Sequence, residues 1–285
     1  MRGKLLRRVF VLICCASAIA ASAQTTTQPK KKSSTAKPAA SEPAPPALEP
    51  KAMEILKAAG DKLAAANTMQ FTAIELFETL SRQGVPLAWT TKYETTIQRP
   101  DKLRVIIPGD GPASNFYYDG KTIEAYAPVE NLLAVADAPP TMESALEQAY
   151  KTAGIYFPFT DFILGNPYEN AKSGLKHAYY IGQSKIVGGI VTDMVGFASQ
   201  GVFAQIWIGA DDKLPRMIRA IYVDDPNMLR HEMVFTDWKL DESVPADTFA
   251  PSDVATAKRI PFAHPSPENP AVGDRPPTKP KGKSQ

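Results

Sequence analysis

The hydrophobic pattern of the chain changes period near residue 68. From Pro50 onward, Ala52, Ile55, Leu56, Ala59 and Leu63 recur at helical spacing, with Lys57, Asp61 and Lys62 off that stripe. This predicts a helix that buries one face. Pro50 suits the first helical position, where a missing N–H costs nothing, and Asn67 marks a stop. After that the period is two. In PLAWTTKYETTIQRP, Trp89, Tyr93 and Ile97 point one way, and Thr90, Lys92, Glu94, Thr96 and Gln98 the other. Such alternation predicts a strand with one buried and one wet face. Pro100-Asp101 interrupts it, and KLRVIIP resumes with Leu103, Val105 and Ile107 on one side. The stretch Met69–Ser81 is β-like but apolar in both phases, so the pattern leaves its register open.

FYYDGKTIEAYAP, Phe116 to Pro128, predicts a hairpin, because Asp and Gly tolerate the positive φ of a two-residue loop. With Asp119-Gly120 as the loop, Phe116 pairs with Ile123 and Tyr118 with Lys121. Ser114 and Ala125 extend that apolar face, and Asn115, Tyr117, Thr122 and Glu124 form the other. Asn131–Ala136 reads as a further strand. Thr141 caps a helix whose stripe is Met142, Ala145, Leu146, Ala149 and Tyr150, and Gly154 ends it. YFPFTDFILGNPY predicts a short buried helix from Pro158 to Gly165. Then HAYYIGQSKIV, IVTDMVGF, FAQIWIG, RMIRAIYV and HEMVFTDWKL follow one another with short connections. Successive strands joined this way predict an antiparallel meander. The fold class is α+β, with about ten strands in one large curled sheet and two or three helices.

The flanks differ in composition. Met1–Arg8 is basic, Val9–Ala20 is apolar but too short to span a bilayer, and Ala21-Ser22-Ala23 is an A-x-A pattern. Together they predict a secretory signal peptide over residues 1–23, and hence a periplasmic protein. A lipid-modified cysteine at Cys14 or Cys15 is the rival reading, but that processing needs a small residue just before the cysteine, and Ile13 and Cys14 occupy those places. Both cysteines would leave with the signal, so the mature chain has no thiol for a disulfide or metal. Residues 24–50 and 264–285 are rich in Pro, Ala, Ser, Thr and Lys and too poor in large apolar side chains for a core. They hold 12 of the 26 prolines. One domain remains, residues 51–263, long enough for a sizeable core. It carries 20 basic and 26 acidic residues, which excludes a nucleic-acid binder of the basic kind. No other run predicts a transmembrane helix.

Templates for catalysis fail in turn. There is no Gly-rich phosphate loop and no G-x-S-x-G elbow. His177, His231 and His264 lack partners at metal-ligand spacing. Asp211-Asp212 and Asp224-Asp225 sit between strands, where Asp favours turns. Asp161 and Asp193 stand in apolar surroundings that raise carboxyl pKa values, and they alone suggest a hydrolase. The reading is non-enzymatic, with no cofactor and no metal.

What remains is large apolar surface on a sheet: Trp89, Tyr93, Phe116, Tyr118, Met194, Phe203 and Trp207. Either all seven are core, or some line a cleft between curled sheet and helices that accepts a lipid acyl chain, lipoprotein or other apolar ligand. Burial of ~12 methylenes at about 0.8 kcal/mol each gives about 10 kcal/mol before entropic costs. The competing function is a protein–protein or sensor module in envelope signalling, using a sheet edge or the Pro-rich tails.

The segments RPDKLRV (Arg99–Val105), FYYDGKT (Phe116–Thr122), FPFTDFI (Phe157–Ile163), QIWIG (Gln205–Gly209), LPRMI (Leu214–Ile218), FTDWKL (Phe235–Leu240) and VPADTF (Val244–Phe249) occur in that order. In them the chain resembles a family of predicted periplasmic proteins of unknown function, within the half-barrel superfamily of the lipoprotein carriers LolA and LolB. The resemblance covers about Lys51–Phe262. It implies an open half-barrel whose concave side is covered by an N-terminal helix and mid-chain helices, and lipid or lipoprotein handling for the superfamily. Where the family pattern often carries Cys-Asp-His, this chain has Thr192-Asp193-Met194 and keeps only the Asp, so no thiol or metal role transfers.

Overall fold

The computed structural model describes residues 47–109, 112–199, 201–252 and 254–264. The signal peptide expected over 1–23, most of the Pro-rich segment after it and the tail from 265 lie outside the described residues.

The described residues begin beside the sheet, just before a helix. Leu48 makes a parallel bridge to Ala178, and the Glu49 side chain accepts a hydrogen bond from the Tyr180 backbone N–H at 2.8 Å. Helix α1 (Pro50–Ala65) follows, burying Ala52, Ile55, Ala59, Gly60 and Leu63, which is the expected stripe with Leu56 at its margin. Gly60 is required by a neighbour: a Cβ there would meet the Tyr168 Cβ at 2.6 Å, where α1 packs on the short helix α4 (Pro167–Lys172). Helix α2 (Met142–Ala153) is capped as expected. The Thr141 hydroxyl accepts from the Ser144 N–H, and Gly154, at φ 70°, turns its N–H back to the carbonyls of Ala149 and Tyr150. Helix α3 is only Thr160–Ile163, shorter than the sequence pattern suggests, because Phe157 and Phe159 enter the core from the extended segment before it.

Twelve strands form one sheet among the described residues. They are β1 (Thr68–Leu80), β2 (Pro86–Gln98), β3 (Lys102–Ile107), β4 (Ser114–Tyr118), β5 (Thr122–Ala127), β6 (Leu132–Asp137), β7 (Leu175–Ser184), β8 (Thr192–Ser199), β9 (Val202–Gly209), β10 (Pro215–Tyr222), β11 (Arg230–Leu240) and β12 (Lys258–Ile260). The order is β12-β6-β5-β4-β3-β2-β1-β11-β10-β9-β8-β7. Two antiparallel meanders, β1–β6 and β7–β11, are thus joined through the β1–β11 pair. The sheet is open at both ends and does not close into a barrel. This is the expected α+β half-barrel, with two additions. The three-residue β12 lies parallel to β6, and α4 was not legible in the periodicity.

The Asp119-Gly120 hairpin differs from expectation by two residues. Tyr118 pairs with Ile123 and Phe116 with Ala125. The Asp119 carboxylate accepts hydrogen bonds from the N–H groups of Lys121 and Thr122 at 2.9 and 2.8 Å, and this side-chain turn holds the loop open to four residues. A shift of two preserves the faces, because side chains alternate with period two. Phe116, Tyr118 and Ile123 therefore stay buried together.

All the helical cover packs on one face, called the inner face below. Its larger core cluster joins Leu63 of α1, Met142, Ala145, Leu146 and Ala149 of α2, and Ile163 of α3 to side chains from β1 to β5 and β11. A second cluster joins Ala52, Ile55 and Ala59 to Ala178, Val195, Ile206 and Ile208. No described helix is long and apolar enough to cross a membrane.

Candidate functional site

Strand register sends the seven expected ligand residues to three places. Tyr93, Phe116 and Tyr118 are on the inner face under the helical cover, each less than a tenth exposed. Phe157 packs edge-on against Phe116 at 5.2 Å and Tyr93 at 6.4 Å, and Phe159 packs against Tyr93 at 5.4 Å. The Tyr118 hydroxyl donates to the Pro139 carbonyl at 2.7 Å, satisfying the one polar atom of a fully buried ring. These three rings belong to the larger core cluster in this arrangement.

Met194, Phe203 and Trp207 stand on the opposite, outer face. Val195 and Ile206 pair and point inward into the α1 cluster, so their neighbours Met194 and Trp207, which also pair, point outward. The row continues through Met217, Val234 and Ile74 across β10, β11 and β1. Met194, Phe203 and Trp207 are half-buried by one another and by the rest of this row, with Phe203 also stacked on Tyr179 at 6.5 Å.

Trp89 is alone in being both inner-face and uncovered, at 52% exposed. It marks the open end of the inner face, where the helical cover stops. There β1 and β2 pair Phe77 with Trp89 and Glu75 with Thr91, and β11 sets His231 opposite Phe77. The Trp89 indole N–H donates to the Thr79 hydroxyl at 2.8 Å. His231 lies between Phe77, stacked at 6.4 Å, and Tyr222, edge-on at 5.3 Å. Tyr156, immediately before the buried Phe157, remains 42% exposed, with its ring edge-on to Tyr150 at a centroid distance of 6.5 Å.

One carboxylate lies on the floor of this mouth. Glu75 accepts a hydrogen bond from the Tyr93 hydroxyl at 2.9 Å. Burial pushes its carboxyl above the ordinary carboxylate range, and the bond from Tyr93 offsets only part of that rise. Burial, then the nearby Glu75, drives the Tyr93 hydroxyl well up. Tyr156 rises for the same first cause, and after it through Asp161, Tyr222 and Glu75. Burial lowers His231, which favours the neutral ring. The charges of Lys92, Arg219 and Arg230 are held elsewhere, in ion pairs with Glu94, Glu232 and Glu78.

Asp193, one of the two carboxylates singled out in the sequence, accepts from the Tyr180 hydroxyl and the Gln183 amide, both at 3.1 Å. The other, Asp161, sits at the mouth beside Tyr156 and Tyr222. Among the described residues no three His, Cys, Asp or Glu side chains group as metal ligands. Glu75, Phe77, Tyr156 and Tyr222 were not singled out by sequence reasoning, and His231 was weighed only as a metal ligand. A signal for Glu75 existed: Met69, Phe71, Ala73, Glu75 and Phe77 share one phase of β1, and a carboxylate among them is out of place.

A separate apolar cleft of about 200 Å³ opens between β5, β6 and the C-terminal segment, lined by Ala125, Tyr126, Leu132, Ile155, Ile260 and Phe262 among others. Pockets that hold small molecules start at about 300 Å³.

Comparison with known proteins identifies one family. The profile described as "Predicted periplasmic protein (DUF2092)" matches residues 52–263. No curated protein matches the chain. Solved structures similar to it include LprF from Mycobacterium bovis, 13% identical, covering 69% of this chain and 97% of LprF with a TM-score of 0.45. A DUF1329 family protein from Desulfovibrio piger is 10% identical over 70% of this chain and 96% of its own, TM-score 0.34. The Pseudomonas aeruginosa MucA/MucB complex contains a chain 12% identical over 74% of this one and 64% of its own, TM-score 0.40. These likenesses are remote, and the architecture rests on the strand order itself.

Proposed function

We propose that this chain, which belongs to the DUF2092 family of predicted periplasmic proteins, is a non-catalytic binding protein for an apolar chain such as a lipid or lipoprotein acyl group. Residues 1–23 act as a cleaved signal, and the folded part works in the periplasm. The ligand enters at the open end of the inner face, against Trp89 and Phe77, and lies toward Tyr156 and Tyr222.

The observation that carries this reading is the uncovered Trp89 ring beside the half-buried Phe77. An aromatic side chain offers roughly 150–250 Å² for burial, so about 100 Å² of Trp89 is free. At about 25 cal/mol per Å², covering it contributes ~2.5 kcal/mol, and Tyr156 adds a similar share. Those gains must exceed the cost of immobilising the ligand, which favours a chain long enough to touch several rings. The deeper groove under α2 and α3 is filled by Phe157 and Phe159, so Phe116 and Tyr118 take part only if that segment lifts.

The test is native mass spectrometry of protein purified gently from cell envelopes, followed by lipid extraction. A bound acyl-chain species, absent from the Trp89→Ala variant, is the expected result. Empty protein that also ignores fluorescent fatty-acyl probes would sink the reading.

A second reading, an envelope-signalling contact, is favoured by one edge. Strand β2 pairs with β3 only over Glu94–Gln98, and the stretch from Pro86 to Thr90 is exposed throughout. An extended segment of another protein could add a strand along this exposed edge. A photo-crosslinker at Thr90 that traps one envelope protein, with the mouth empty of lipid, would favour it over the carrier.

A further inference from the structure

We propose that the mouth selects amphiphiles with an ammonium head group, which Glu75 receives in a cage walled by Tyr156 and Tyr222; this rests on the apolar-chain reading of the same site.

Three observations converge. The first is a carboxylate in a buried phase of a strand, surrounded by apolar and aromatic positions. Glu75 sits on the inner face between Ala73 and Phe77 of its own strand, opposite Met233 of β11 and Thr91 of β2. The bond it accepts comes from a neutral hydroxyl, that of Tyr93. Among the described residues no Lys or Arg forms an ion pair with it. A half-buried carboxylate held by one neutral donor is under-satisfied, since it can accept up to four hydrogen bonds.

The second is the identity of the surrounding groups. From β2 comes Tyr93, from β10 Tyr222, from β11 His231, from the segment before α3 Tyr156, and from α3 itself Asp161. The hydroxyls of Tyr93, Tyr156 and Tyr222 all feel the charge of Glu75, and those of Tyr156 and Tyr222 also feel Asp161. All of these are anionic or neutral groups. Aromatic faces attract cations through the ring quadrupole, best when water is displaced. An anion would meet the Glu75 carboxylate, with which no Lys or Arg of the described residues pairs.

The third is what lies next to the cage. One position further along the same phase, Trp89 presents bare apolar surface beside the half-buried Phe77. A ligand that satisfies both halves has a cation at one end and an alkyl chain at the other, with the cation inward and the chain toward the sheet end. A free metal ion would leave the rings unused. The polar atoms also suit it poorly, since among the described residues no three His, Cys, Asp or Glu side chains group as metal ligands.

The test uses three ten-carbon probes below their micellar range: decyltrimethylammonium, decyl sulfate and the neutral decyl glucoside, titrated calorimetrically into the mature protein at pH 7.5. The expected order puts the ammonium probe about tenfold tighter than the glucoside, with the sulfate weakest. Glu75→Gln keeps the shape and an acceptor for Tyr93. It is expected to weaken the ammonium probe about tenfold more than it weakens the glucoside. Equal binding of ammonium and glucoside by the parent, or a preference that survives in E75Q, overturns the proposal. If no decyl probe binds, the apolar-chain reading fails by itself. Tetramethylammonium then decides the cage: a change in Trp fluorescence that E75Q abolishes supports it, and silence overturns it.

Discussion

Trp89 faces Phe77 across the β1–β2 pair, and it stands just past the point where the helical cover ends. One strand therefore carries both a core ring, Tyr93, and an uncovered one, Trp89, four residues apart on the same face. The difference lies in what is overhead. Phe157 and Phe159 pack on Tyr93, and the cover does not reach as far as Trp89.

This division predicts opposite outcomes for two aromatic-to-alanine changes. Trp89→Ala removes a half-exposed ring and one hydrogen bond to Thr79. It is expected to cost about 1 kcal/mol or less in urea unfolding, yet to weaken acyl-probe binding at least about tenfold, since ~1.4 kcal/mol of ring burial is enough for that. A large loss of stability with unchanged binding would return Trp89 to a structural role.

Phe159→Ala acts in the other direction. Its ring is fully buried, edge-on to Phe71 at 5.3 Å and stacked on Phe157 at 5.6 Å. Removing it takes away transfer energy and leaves a void, a loss of about 3–5 kcal/mol for Phe in a core. The same void enlarges the space beside Tyr93 and Phe116. A variant that remains folded is expected to bind short alkyl probes that the parent excludes, measurable by calorimetry. Binding equal to the parent's would mean that the neighbouring rings collapse into the gap.

Most of the sheet could be read in the sequence because a half-wet strand writes its burial into period two. The stretch from Tyr93 to Ile97, the Phe116–Tyr118 face and all five strands from β7 to β11 are examples. Met194, Phe203 and Trp207 show where that reading stops. Period two separates the faces of a strand, but it does not say which face the helices will cover. On β8 and β9 both faces are apolar, and packing on α1 decides between them. The closing of the two meanders through β1 and β11 is equally invisible locally, because 152 residues separate Arg230 from its ion-pair partner Glu78. The mouth was missed for a related reason: its rings come from β1, β10, β11 and the segment before α3, and they share no motif.

Gly154 gives a prediction about the end of α2. It adopts φ 70°, the left-handed region that a side chain disfavours by about 1–2 kcal/mol. A Cβ there would also stand 2.4 Å from the His264 Cδ2, where the His264 N–H donates to the Thr152 carbonyl. Gly154→Ala is expected to lower the thermal midpoint, and adding His264→Ala to recover only part of the loss. Full recovery in the double variant would show that the clash, and not the backbone, sets the cost.

Two glutamates on β1 should respond to pH with opposite signs. Glu78 is held below its ordinary 4.5, chiefly by its hydrogen-bonded ion pair with Arg230. A carboxyl depressed in the folded state contributes stability that is present above 4.5 and is lost as pH falls through the lower folded value. Glu75 is raised above 4.5, first by burial. Between 4.5 and that higher value the folded state holds more protons than the unfolded chain, so its contribution falls as pH rises through the window and stays unfavourable above it. Urea midpoints measured from pH 3.5 to 8 should therefore separate the two. Glu78→Gln is expected to be less stable than the parent at pH 7 and to converge with it in acid. Glu75→Gln is expected to be more stable at pH 7 and to converge at the acid end. A Glu75→Gln variant destabilised at pH 7 would mean that the carboxylate already has a favourable partner in the folded protein, and the mouth would have no unmet charge to offer a ligand.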